Sequence, residues 1–328
     1  MRAFIVSEVE EVLNLEVRDV EPTATLDTDV LVKVDFSGVN FKDAMVATRK
    51  SRVRRVPSLT GGVDAAGTVV ASRDPTLVTG TRVAVHGGAL GVARDGGFAQ
   101  FIYAPIRYVS VLPDSLSTHD AMVVGTAGFT AMESLLALED RGLKPGGEVL
   151  VTGATGGVGS QAVTFLAVKG YRPVASTGSP HESPWLLDRG AQRVIGRDDL
   201  SDQPGRVLGT ELWDGAIDCV GGATLSSILR SLRYGAAVAA SGLVASAELV
   251  TTVYPFITRS VGLLGIDSVE ATASTRARVW HALGDVAPSI DWASLTDRVA
   301  TLEELPAALD DVRRGTTRGR ILVDPNRG

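Results

Sequence analysis

The sequence predicts an α/β chain in two parts, a β-rich domain followed by a doubly wound domain on a parallel sheet. Three observations carry this. Short apolar segments punctuated by Gly or Pro fill residues 1 to about 117. Strand-like and helix-like segments alternate from Glu148 onward, and a glycine-rich turn joins the first strand of that series to its first helix.

In the β-rich part, Val30, Val32, Val34 and Phe36 alternate with Leu31, Lys33, Asp35 and Ser37, the period of two that half-buries a strand. Residues 67–73, 82–86, 98–104 and 108–112 are similar short strand segments. The character changes at Ser117-Thr118-His119-Asp120, where a Ser cap with Asp three residues later starts a helix that runs to Leu138. Strands follow at 148–152, 172–177, 193–195, 216–220 and 236–241, with helices at 157–169, 183–189 and 223–232 between them. Such alternation folds as a parallel sheet covered on both faces. A segment at 261–266 extends that sheet. A helix near 275–283, a helix at 302–314 and a strand at 320–323 close the chain.

Composition narrows the function classes. The 328 residues are 45% hydrophobic and 21% charged, with 36 Gly, enough for two cores. A net charge of −6 and a pI of about 5.3 offer no overall positive field to recruit nucleic acid or an anionic membrane. The N-terminal residues lack the apolar core of a signal peptide, and no uninterrupted apolar run reaches the length of a membrane span. A lone cysteine, Cys219, suits a reducing interior. The expectation is a cytoplasmic protein.

The glycine turn is the most specific feature. Thr152-Gly153-Ala154-Thr155-Gly156-Gly157-Val158-Gly159-Ser160 spaces glycines at 153, 156 and 159 between a strand and a helix. The first allows the tight turn, the second lets a pyrophosphate approach the backbone, and the third lets helix and strand pack closely. The helix N-terminus then presents N–H groups and about half a positive charge to bound phosphates.

Further motifs point to a family. They are Asn40-Phe41-Lys42-Asp43, Gly62 to Val69 (GVDAAGTV), Gly125 to Met132 (GTAGFTAM) followed by Ala137-Leu138-Glu139-Asp140, Gly215-Ala216-Ile217-Asp218, Ser241-Gly242-Leu243, Tyr254-Pro255-Phe256-Ile257 and Gly265 to Val269. With these the chain resembles the medium-chain dehydrogenase/reductases over nearly its whole length. The closest likeness is to their zinc-free quinone oxidoreductase branch of the acrylyl-CoA reductase type. The resemblance implies a discontinuous GroES-like catalytic domain at 1–120 and 265–328, and a Rossmann NADPH-binding domain at 121–264. It also implies a cleft between the domains and a homodimer made by pairing sheet edges. Its cofactor contacts carry over to Phe41, Thr130, Thr155, Gly156, Gly157, Val158, Ser176, Thr177, Gly178, Ser179, Arg197, Leu243, Ile257 and Ser268.

Donor chemistry argues against a zinc site. Cys219 is the single thiol, and His86, His119, His181 and His281 are far apart in sequence, so no set of soft ligands is evident. Plain alcohol oxidation is then disfavoured, and reduction of a C=C bond conjugated to a carbonyl remains open.

Where NAD enzymes often hold the ribose 2′-hydroxyl with a carboxylate, the chain reads Ala175-Ser176-Thr177-Gly178-Ser179. Small hydroxyl residues leave room for a 2′-phosphate, so NADPH is expected. The resembled reductases usually place Arg after this Gly, and Ser179 departs from that. Arg197 matches a second basic position of the pattern, and a protonated His181 is a further partner.

The expected reaction is hydride transfer to the β-carbon of a short α,β-unsaturated acyl-CoA, followed by protonation of the enolate at the α-carbon. The resemblance locates catalysis at Asn40–Asp43. Asn40 is the candidate amide donor to the oxyanion, Lys42 supplies charge or a ribose contact, and Asp43 orients it. Phe41 stands where such reductases often carry Tyr. It cannot donate a proton, so the donor is unassigned. Arg49-Lys50-Ser51-Arg52-Val53-Arg54-Arg55 puts five positive charges in seven residues of an acidic chain. Arg49, Arg52 and Arg54 are candidate partners for CoA phosphates, against an ordinary solvated loop. An RNA reading of this run is opposed by the acidic balance and the lack of interleaved aromatics.

A short-chain dehydrogenase needs Tyr-x-x-x-Lys, and none of the five Tyr residues has it. A quinone reductase on the same fold and a non-enzymatic NADPH-binding protein remain as alternatives.

Overall fold

The computed structural model describes residues 1–24, 29–200 and 207–328. The chain forms two compact units, Met1–Ala127 with Ser268–Gly328, and Gly128–Asp267.

The first unit opens with strands β1 (Arg2–Val9), β2 (Val12–Asp19) and β3 (Asp29–Val39), then the short helix α1 (Phe41–Val46). Strands β4 (Ser58–Thr60), β5 (Asp64–Ala71), β6 (Arg82–His86), β7 (Phe101–Pro105) and β8 (Val109–Val111) follow. The alternation read at 30–37 is that of β3: Val30, Val32 and Val34 are buried in one core with Ala65, Val69, Val83 and Ile102. Sequence reasoning located no individual strand for β1, β2 and β4, which form a small antiparallel sheet in the order β2-β1-β4.

Helix α2 (Thr118–Asp140) starts as its cap predicts, with Asp120 N–H donating to Ser117 Oγ at 3.1 Å. Gly125 breaks it with non-helical angles, φ 49° and ψ −161°. The first unit takes in residues 121–127, which the sequence assigns to the nucleotide domain. The reason is local: the Thr126 N–H donates to Asp64 at 2.8 Å. Among the described residues, α2 alone is long and apolar enough to cross a membrane, a property hidden from a search for unbroken apolar runs, and 83% of its apolar window is buried in the fold.

The second unit alternates β9 (Glu148–Thr152), α3 (Gly157–Val168), β10 (Arg172–Thr177), α4 (Ser183–Asp188), β11 (Arg193–Gly196), β12 (Gly215–Asp218), α5 (Gly222–Ser231), β13 (Ala237–Ala240), α6 (Tyr254–Arg259) and β14 (Gly262–Gly265). Among the described residues the sheet is wholly parallel, in the order β11-β10-β9-β12-β13-β14. Val149, Leu150 and Val151 are all fully buried, as a central strand covered on both faces requires. Strand β12 stops at Asp218, short of the expected 220, because the Asp218 carboxylate accepts the N–H groups of Val220 (3.3 Å) and Gly221 (2.8 Å) and turns the chain.

The chain then completes the first unit with α7 (Ala273–Val286), β15 (Thr296–Ala300), α8 (Leu305–Arg314) and β16 (Arg320–Val323). Helix α8 begins three residues later than expected, with Pro306 in its first turn. Strand β16 pairs antiparallel with β3, placing the end of the chain beside Val39 in the order β15-β16-β3-β5-β6-β8.

Candidate active site

In the second unit the glycine turn has the geometry its spacing demands. Gly153 takes φ +60°, and the Gly156 N–H closes onto its carbonyl at 3.0 Å. A Cβ at Gly159 would collide with the Gly153 carbonyl, so glycine alone allows this approach of helix and strand. Gly156 caps α3 and is exposed; a Cβ there would meet only the Gly153 oxygen, at 3.3 Å. The first-turn N–H groups of Gly157 and Val158 have no acceptor within the helix, and Thr155 sits half-buried before them. This open, electropositive turn fits a pyrophosphate. Thr152 and Asp218 brace it from below. Thr152 Oγ1 donates to Asp218 at 2.6 Å, and burial raises the Asp218 pKa against the pull of its hydrogen bonds.

At the end of β10, Ser176 and Thr177 are buried and the Ser179 N–H donates to Thr177 Oγ1 at 2.9 Å. The Arg197 guanidinium covers Gly178 so closely that a Cβ there would strike it. Gly178, Ser179 and Arg197 are therefore brought together from two strand ends. His181 is mostly exposed and sits 3.5 Å from Glu182. Thr130 is buried in α2, its carbonyl accepting from Ser134. Leu243 and Ile257 are 63% and 72% exposed, with Val244 and Val253 exposed nearby in sequence.

In the first unit, β3 gives way to α1 at Asn40. Asn40 Nδ2 donates to Asp64 Oδ2 (2.9 Å) and to the Gly38 carbonyl (3.2 Å), while its Oδ1 accepts from Arg320 Nη1 (2.9 Å). Both amide hydrogens are thus engaged, which corrects the expectation of an amide aimed at substrate. Asp43 does not orient Lys42. Its carboxylate accepts the N–H groups of Asn40 (2.8 Å) and Val63 (2.9 Å). Burial first, and then the charge of Asp64, push its pKa up to about 7. Lys42 is half-buried and, among the described residues, its side chain has no hydrogen bond or ion pair. Phe41 exposes 45% of its surface beside it.

Asp64 and Arg320 complete this cluster, and sequence reasoning assigned neither a role. Asp64 is fully buried and also accepts the N–H groups of Gly38 (3.0 Å) and Thr126 (2.8 Å). Arg320 Nη2 lies 3.6 Å from Asp64, in a slot walled by Gly38 and Gly125. The available signal was an arginine opening the apolar strand Arg320-Ile321-Leu322-Val323, all of it buried.

Residues 157–283 match the family "Zinc-binding dehydrogenase" and residues 26–114 match "Alcohol dehydrogenase GroES-like domain". The putative quinone oxidoreductase YhfP of Bacillus subtilis is 45% identical over 90% of this chain and 89% of its own. The chain belongs to the medium-chain dehydrogenase/reductase family. Acrylyl-CoA reductase AcuI of Ruegeria pomeroyi is 43% identical, over 91% of this chain and 90% of the relative. Among solved structures, the Salmonella enterica yhdH oxidoreductase in complex with NADP superposes with a TM-score of 0.94 at 39% identity, over 99% of both chains. Bacillus subtilis yhfP with NAD bound superposes with a TM-score of 0.95 at 41% identity, over 98% of both.

Among the described residues no three of His, Cys, Asp and Glu gather as a metal site. Burial, and then the charge of Asp218, push the Cys219 thiol up to about 12. The basic run divides. The Arg54 side chain is buried, pairs with Glu8 and donates to the Val46 carbonyl at 2.7 Å, so it holds the loop and is corrected from a phosphate partner to a structural residue. Arg49 and Arg52 are exposed, and Lys50 pairs with Glu11 at 3.0 Å.

Proposed function

We propose that this reductase uses NADPH to reduce the activated C=C bond of a short α,β-unsaturated acyl-CoA such as acrylyl-CoA. The observation that carries the reading is its likeness, over nine-tenths of the chain, to a relative named acrylyl-CoA reductase. Bound NADPH supplies a hydride to the β-carbon. The turn at Thr155, Gly156, Gly157 and Val158 holds its pyrophosphate, and Arg197 with Ser176, Thr177, Gly178 and Ser179 holds its 2′-phosphate. Absence of a carboxylate from residues 175–179 supports NADPH over NADH. Thr130, Leu243, Ile257, Ser268 and Phe41 contact the rest of the cofactor.

On the substrate side, Lys42 supplies positive charge to the enolate oxygen or a contact to the ribose. Asn40 and Asp43 act as positioning residues: their side chains fix the turn from which Phe41 and Lys42 project. Exposed Arg49 and Arg52 meet the CoA phosphates. A quinone acceptor is the second reading, favoured by the likeness to YhfP. In this reading the protein is a homodimer.

The test is the loss of reduced-nicotinamide absorbance with acrylyl-CoA, crotonyl-CoA and a simple quinone, using NADPH and then NADH. Fast turnover of acrylyl-CoA with NADPH is the expected result. Turnover of quinone alone would remove the thioester and leave Arg49 and Arg52 as solvated charges.

A further inference from the structure

The loop that carries Ser268 into α7 is held by a buried cation in an unfavourable place. Arg276 is 3% exposed in the first turns of α7, where the helix macrodipole opposes a positive charge. Helical side chains lean toward the N-terminus, and this one reaches back over its own helix start. Its Nε donates to the Ala271 carbonyl (3.1 Å), and its Nη2 to those of Val269 (2.9 Å) and, more weakly, Ser268 (3.4 Å). Nη1 lies 3.0 and 3.2 Å from the two ring nitrogens of buried His86, and the guanidinium stands 5.3 Å from the Tyr108 ring centre. Burial and Arg276 keep that imidazole neutral by holding it well below its usual range.

The surroundings are shaped to the same loop. Gly87 and Gly88 both have positive φ; a Cβ at Gly87 would strike the Val269 carbonyl, and one at Gly88 the Tyr108 ring. Tyr108 in turn donates its hydroxyl to Glu270 at 2.9 Å. Arg276 therefore holds three backbone carbonyls of this loop and Tyr108 holds the Glu270 side chain between them, although a shorter apolar contact would close a loop at far lower desolvation cost. A locally unfavourable charge that is conformationally overdetermined points to a requirement beyond stability.

We infer that Arg276 is a positioning residue for cofactor binding: its fork fixes the 268–271 backbone so that Ser268 meets the dinucleotide. This rests on the functional reading above, in which Ser268 contacts the cofactor. A lysine keeps the charge and loses the fork, so it can hold one of these carbonyls in place of three.

The experiment measures NADPH and NADH dissociation constants by nicotinamide fluorescence on the parent, Arg276→Lys, Tyr108→Phe and Arg197→Ala. Arg276→Lys is expected to weaken both cofactors by the same factor, between about tenfold and about a hundredfold, the scale of a misplaced binding group. Tyr108→Phe loosens the same loop at one remove and is expected to weaken both about twofold to threefold, less than the loss of a charged partner. Arg197→Ala is expected to weaken NADPH alone. Equal affinity of parent and Arg276→Lys overturns the inference. Should that variant fail to fold, Tyr108→Phe decides: an unchanged affinity overturns the inference, and a parallel loss for both cofactors supports it. A parent that binds neither cofactor overturns the functional reading itself, a result distinct from a parent that binds both and a variant that does so equally.

Discussion

Two strand-to-helix turns, one in each unit, are built from opposite materials. From β9 into α3 the chain removes side chains, and what remains for a ligand is backbone N–H and an open surface at Gly156. From β3 into α1 it adds them. Asn40 and Asp43 are bound into a buried cluster with Asp64 and Arg320, drawn from strands more than 250 residues apart in sequence. The first turn spends little stability and keeps its hydrogen-bonding groups for a partner. The second spends its groups internally and presents only neighbours, Phe41 and Lys42, to the outside.

The comparison breaks first at Arg320. Arg320→Met leaves Asp43 and Asp64 buried without their cation, along with the Asn40 oxygen and the Val39 carbonyl it served. Breaking a buried pair from one side costs about 3–5 kcal/mol. Urea unfolding at neutral pH should show a loss of that size. A loss below about 1 kcal/mol would mean that this cluster is no more demanding than the glycine turn.

Glycine substitutions sharpen the contrast at the next size down. A Cβ at Gly125 would lie 2.6 Å from Arg320 Nη2 and 2.8 Å from Asp64 Oδ2, at a backbone angle that L-residues avoid. Gly125→Ala should therefore cost about 2–4 kcal/mol in the same unfolding experiment. Gly156→Ala meets only one oxygen, at 3.3 Å and so slightly inside ordinary contact, and should stay within about 1 kcal/mol of the parent. Its effect should appear as weaker NADPH binding, about tenfold, which calorimetric titration reads directly. If the two alanines had equal effects on stability, the distinction between the turns would fail.

The same contrast explains what was legible in the sequence. Gly153, Gly156 and Gly159 act through local backbone geometry, so their spacing in nine residues carries the whole device. The alternation of Val30, Val32 and Val34 and the cap at Ser117 are local in the same sense. Arg320 meets Asn40 only because β16 returns to pair with β3, and no local period encodes that contact. Roles read from residue type alone erred for this reason. The Asn40 amide looked available and Asp43 looked like a partner for Lys42, until Asp64 and the Val63 N–H claimed them. Arg54 erred likewise, its charge answered by Glu8 from β1.

The smallest expected effect concerns the proton on Asp43. Its pKa is about 7 in the folded chain against 3.8 for an ordinary aspartate, raised by burial and then by Asp64. The native state thus binds more protons than the unfolded state across that window. Asp43 contributes stability that is fully present below about 3.8, falls as pH rises, and is gone above about 7. His86 acts oppositely, since its depressed pKa makes the fold lose stability as pH drops below 6.5. Comparing the parent with Asp43→Asn isolates the first group from the second. The variant is expected to be less stable throughout, because an amide nitrogen then faces one of the N–H donors from Asn40 and Val63. The slope is what decides. From pH 6 to 7 the parent should lose about 1 kcal/mol relative to the variant in urea midpoints taken at each pH. Parallel slopes would show that Asp43 is already ionised at pH 6, with its two backbone N–H bonds outweighing burial and the neighbouring carboxylate.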